Sequence, residues 1–89
     1  MNRDKLNNLP RAQVAQASFG VIDYLQKAAP NTELAIAALS CAFLQLTRGL
    51  NVSPQSLWET ANNLIHNADK KQVPEFAGIL RYVREEMAK

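Results

Sequence analysis

The sequence predicts an all-α fold, a compact four-helix bundle with a central apolar second helix. Three observations predict it. Apolar residues recur at three- and four-residue steps in four separate segments. No stretch alternates apolar and polar residues with the period of a strand. Residues 34–46, LAIAALSCAFLQL, form a run of thirteen without a charge. The chain of 89 residues suits one domain, and a domain this short buries only about 60–65% of the surface its unfolded form exposes. Its core is therefore small.

Residues 1–9 carry Leu6 and Leu9 among polar neighbours and read as a flexible N-terminal arm ahead of a single helical domain, 10–89. The first helix starts near Pro10, because proline suits the first helical turn, and runs to about Ala28. Val14, Ala17, Val21, Leu25 and Ala28 share one face, which Phe19 and Ile22 widen. Gly20 sits mid-helix at a cost of about 0.5–1 kcal/mol against alanine. A close backbone approach or simple tolerance accounts for it. In the turn that follows, Asn31 or Thr32 caps the second helix, and Glu33 favours its positive end.

The second helix runs over 32–48 and stops at Gly49. On a wheel at about 100° per residue, Ile36, Leu39, Phe43 and Leu46 fall on one side. Leu34, Ala37, Ala38, Cys41 and Gln45 fall on the other. The bulky side suits a core, and the small side lets a second helix approach closely. A helix apolar around its circumference must be covered twice, either by the other three helices in a self-sufficient monomer or by partial wrapping plus a second copy; with so few residues for wrapping, the second is favoured. Two-fold dimers are the commonest assembly.

The third helix spans 53–68, with Ser53 as N-cap and Pro54 at the first position; Ser56 with Glu59 offers an alternative start. Leu57, Ala61, Leu64 and Ala68 form its apolar stripe, with Trp58 and Ile65 on one shoulder. The fourth helix spans 74–88, with Phe76, Ile79, Leu80, Val83 and Met87 on one face and a charged opposite face.

Ten basic and eight acidic residues give a net charge of +2, too balanced to imply nucleic acid or an anionic membrane. The apolar run falls short of the ~20 residues a membrane span needs, so no membrane contact is expected. The basic N-terminus is not followed by the apolar segment of a signal peptide. Cys41 is the single cysteine and reads as a small buried hydrophobe in a reducing, cytoplasmic setting. His66 is the single histidine and has no partner at metal-ligand spacing. No glycine-rich phosphate loop, paired carboxylates or nucleophile motif is present, so no catalytic, cofactor or metal site is expected.

One stretch fits a binding motif. Residues 50–61, LNVSPQSLWETA, resemble the turn and recognition helix of helix-turn-helix regulators such as the tetracycline-repressor-like family. Val52, Ser53, Leu57 and Trp58 match that pattern. Asn51 stands where the family prefers glycine and Thr47 where it prefers alanine. The resemblance implies a DNA-binding regulator built on residues 47–68, with Arg48, Gln55, Ser56, Lys70 and Lys71 as nucleic-acid contacts. The helix itself has no lysine or arginine before Lys70, and phosphate neutralisation dominates DNA affinity.

The reading favoured by the residues is a non-catalytic, self-associating protein–protein interaction module, in the manner of a small accessory or phage-type gene product. It forms a homodimer through Leu34, Ala37, Ala38, Cys41 and Gln45. Trp58 reads either as a large aromatic that anchors the bundle or as the anchor for a further protein partner, since tryptophan is enriched at interfaces.

Overall fold

The computed structural model describes residues 2–70 and 74–88. Every element among them is helical: α1 (Arg3–Asn7), α2 (Arg11–Ala28), α3 (Thr32–Gly49), α4 (Pro54–Lys70) and α5 (Glu75–Tyr82), which continues into a π-helical turn at Val83–Met87. The protein is all-α, and its four long helices lie where the apolar periodicity puts them.

The helix starts follow side-chain capping. The Asn31 side chain accepts from the Leu34 N–H at 2.8 Å, and the Ser53 hydroxyl oxygen accepts from the Ser56 N–H at 3.4 Å. Both satisfy amide donors that the first turn leaves without a partner. Asn2 caps α1 in the same way through the Lys5 N–H, at 3.0 Å. The arm 1–9 thus contains a short helix. The Arg11 guanidinium ties its end to α2 by donating to the carbonyls of Asn7 and Leu9.

The end of α3 differs from the expected stop. Gly49 is an ordinary helical residue, and the left-handed position falls at Asn51, with φ 55°. The Val52 N–H donates to the Thr47 carbonyl at 2.9 Å and the Asn51 N–H to that of Arg48 at 3.2 Å. These six-to-one and five-to-two bonds make a Schellman motif, which satisfies two orphan carbonyls. Asparagine serves because its short polar side chain tolerates the left-handed region better than other non-glycine residues. Four residues, Leu50 to Ser53, then separate α3 from α4, and the two helices meet at 116°.

Packing centres on α2 and α4, each of which contacts the other three long helices. The inward face of α2 is turned by about one residue from the expected stripe. It runs through Val14, Ala15, Ser18, Ile22 and Leu25, while Ala17, Val21 and Ala28 are exposed. Two polar side chains join this face because each is satisfied there. The Ser18 hydroxyl donates to the Val14 carbonyl at 2.8 Å, and the Gln26 side-chain oxygen accepts from the Tyr82 hydroxyl. Tyr82 also meets Phe19 edge-on, with ring centroids 5.0 Å apart, an arrangement worth about 0.5–1.5 kcal/mol beyond its buried area. It takes the inward place expected for Leu80, which is half exposed. Beyond it, the Ala88 N–H reaches back to the Val83 carbonyl, and the Met87 carbonyl accepts from the Thr32 hydroxyl.

The expectation that fails within the monomer is enclosure of the second long helix. Fifteen of the eighteen residues of α3 are exposed; only Ala35 and Thr47 are buried, with Phe43 half-buried. These three fall at four-residue multiples, so α3 touches its neighbours along one narrow oblique row. The bulky side expected to fill the core lies largely outside it: Ile36 is 62% and Leu46 63% exposed. The steep crossing at the 50–53 turn is the physical reason, since a helix leaving its neighbour at a wide angle contacts it over only a turn or two. The resulting particle is flat, 37 × 33 × 17 Å. Its radius of gyration is 13.7 Å, against about 12 Å for a compact chain of this length.

Two substitutions test this account. Asn51→Ala is expected to destabilise the fold by about 1 kcal/mol, whereas Asn51→Gly leaves it unchanged or slightly more stable. Gly20→Ala is expected to stabilise it by about 0.5–1 kcal/mol, because a Cβ at Gly20 meets nothing within 4 Å. Urea unfolding midpoints measure both; a loss of stability for Gly20→Ala shows a close approach that this packing lacks.

Candidate interaction surface

The residues expected to mediate self-association all sit on the outer side of α3. Leu34, Ala37, Ala38, Cys41 and Gln45 are each exposed. They lie roughly opposite Phe43 on the helix wheel at about 100° per residue, and Leu44 extends the patch on one flank. The Cys41 thiol is therefore on the surface, contrary to its reading as a buried hydrophobe. Its neighbours are apolar because the whole helix is apolar, not because the site is interior. Glu33 and Arg48 bracket the patch, both exposed.

Among the described residues, twelve large apolar side chains are exposed, and six of them belong to α3 or its C-cap: Leu34, Ile36, Leu39, Leu44, Leu46 and Leu50. A folded monomer of 9.9 kDa exposes about 5,200 Å². This chain exposes 6757 Å², about 1,500 Å² more than that relation gives. Isolated surface leucines need no explanation, but here large apolar side chains line two sides of one helix: Leu34 and Leu44 border the outer patch, while Ile36 and Leu39 wall the groove on the opposite side.

Trp58 projects from α4 and is 64% exposed. Ile65, two turns further on, is exposed on the same flank. The inward line of α4 instead passes through Leu57, Thr60 and Leu64. Of the residues expected to meet nucleic acid, Arg48 and Gln55 are exposed and Ser56 is half-buried. The Arg48 guanidinium lies 3.4 Å from the Gln45 side-chain oxygen. The side chain of Lys70 and the whole of Lys71 lie outside the described residues. Glu59, Asn62, Asn63 and His66 share the solvent side of α4, so the exposed surface there is polar but not basic.

Two grooves flank the base of α3. The larger, about 360 Å³, opens where α3 lifts away from α2 and the C-terminal turn; Ile22, Leu25, Ile36, Leu39, Val83 and Met87 wall it. The smaller, about 160 Å³, adjoins it and adds Gln26, Asn31 and Glu86. Neither includes His66, Glu59, Asp23 or Cys41. Asp23 is engaged elsewhere. It accepts from Lys27 at 2.8 Å on the surface of α2, and that hydrogen bond holds the lysine above its ordinary pKa. Among the described residues no group of three or more histidine, cysteine or acidic side chains converges as a metal site. Among the described residues no single helix is long and apolar enough to cross a membrane.

Ile36, Leu39 and Leu46, expected in the core, are surface residues as well, and so is Leu50. Comparison with protein-family models, with curated proteins and with solved structures finds no match.

Proposed function

We propose that this protein is a non-catalytic, self-associating helical module whose α3 becomes internal on forming a homodimer. The observation that carries the reading is the apolar surface left on α3 by its own chain. The whole chain exposes about 1,500 Å² more than a monomer of this size does, and half of its exposed large apolar side chains belong to α3 or its C-cap; a standard interface buries roughly 800 Å² per partner. The face is uncharged from Leu34 to Thr47, so a second copy meets no like-charge repulsion along it. Covering even 600 Å² of apolar area gains about 15 kcal/mol before the costs of association. Trp58 and Ile65, exposed on one flank of α4, serve as the anchor for a further protein partner. A reducing, cytoplasmic setting suits the exposed thiol, since disulfide chemistry on a surface cysteine is suppressed there.

One observation favours a second reading. The α3–turn–α4 unit has the four-residue turn, the left-handed residue and a crossing angle of 116°, which falls within the range of about 90–120° seen in helix-turn-helix units. In that reading α4 enters the major groove and Arg48 supports it on the backbone. The acidic Glu59 and the shortage of cations on α4 weigh against it.

Sedimentation equilibrium decides the first reading. The wild-type chain is expected at about twice 9.9 kDa in the micromolar range, and Leu44→Glu to sediment as a monomer with unchanged helical content. A wild-type chain that stays monomeric at millimolar concentration removes the proposal. For the second reading, retention on duplex DNA in low salt is the test; a regulator binds and elutes as salt rises, and the self-association reading expects no retention.

A further inference from the structure

Resting on self-association through α3, we infer that the two copies of this helix pack antiparallel, about a two-fold axis at the level of Cys41. The charges at the ends of the face set the direction. Glu33 lies eight residues before Cys41 and Arg48 seven residues after it. Antiparallel packing centred on Cys41 therefore brings Glu33 level with the partner copy's Arg48 to within one residue, about 1.5 Å along the axis. Two-fold symmetry makes the contact twice. A parallel pair would instead set Glu33 against Glu33 and Arg48 against Arg48 in the same apolar setting. Both groups are exposed and neither forms an ion pair among the described residues; the Arg48 guanidinium reaches only the neutral Gln45 side-chain oxygen of its own helix, at 3.4 Å.

Shape agrees with charge. In this register Leu44 of one copy stands level with Ala38 of the other, so a bulky side chain meets a small one on each side of the axis. The exposed Leu34 lies along the stem of the opposing Arg48, whose methylenes can cover it. Small residues near the axis allow helix axes about 8–10 Å apart. With each Cα about 2.3 Å from its own axis, the two Cys41 Cα atoms then stand roughly 3.4–5.4 Å apart where they face each other, and the wider half of that span lies within the disulfide range. Two thiols facing each other across the axis form one disulfide when an oxidant removes two electrons and two protons.

The test uses the full chain with copper–phenanthroline as oxidant, at concentrations where sedimentation finds the dimer. Wild type is expected to convert to a covalent dimer, and Cys41→Ser to stay uncrosslinked. Glu33→Arg and Arg48→Glu, each placing like charges at both ends of the interface, are expected to raise the dimer Kd about tenfold; the double variant E33R/R48E is expected to restore it to near the wild-type value. A chain that sediments as a dimer yet gives no Cys41 crosslink and no rescue by the double variant overturns the antiparallel arrangement while leaving self-association in place. A chain that sediments as a monomer under all conditions overturns both.

Discussion

The protein is governed by a mismatch between one helix and the rest of the chain. α3 is apolar around most of its circumference, and covering such a helix takes neighbours on several sides. The remaining long helices make most of their contacts with one another, and α3 receives only the row through Ala35, Phe43 and Thr47. In an 89-residue chain little surface is left to spare for it. The flat outline and the excess exposed area follow directly, and they support the proposal that a second copy covers α3.

The turn after α3 creates that geometry. The Schellman bonds at Thr47 and Arg48, with Asn51 in the left-handed region, fix where α3 stops and the angle at which α4 departs. Thr47 is the most deeply buried polar residue, at 1% exposure, and its hydroxyl is satisfied by the Leu44 carbonyl at 2.7 Å. It therefore serves as the pivot between the two helices at little desolvation cost. With only Ala15, Ala35, Leu64 and Thr47 buried among the described residues, the chain by itself has little core. Association and folding stability are then linked, because anything that binds the native state alone stabilises it by mass action.

The parts of this fold legible in the sequence were those set by local chemistry. Asn31 and Ser53 announce helix starts because a side-chain oxygen satisfies amides within three residues, and apolar recurrence separates the four long helices. The misreadings arose where tertiary context decides. Gly49 looked like the stop, but asparagine two residues later makes the same turn. The face of α2 was assigned by counting apolar residues, whereas Ser18 and Gln26 turn inward once their polar atoms find partners. Periodicity cannot show which side of a uniformly apolar helix meets its own chain, so the outer patch of α3 was readable and the exposure of Ile36 and Leu46 was not. Arg3–Asn7 was missed because five residues give periodicity too little to act on, although Asn2 signals its cap.

The most direct measurement of the central claim is amide hydrogen exchange across residues 34–46 as a function of protein concentration. If a second copy covers α3, protection there rises with concentration and falls on dilution, while α2 and α4 shift only as far as global stability does. Protection in α3 that is high and independent of concentration contradicts the account, because it means the chain covers its own apolar helix unaided.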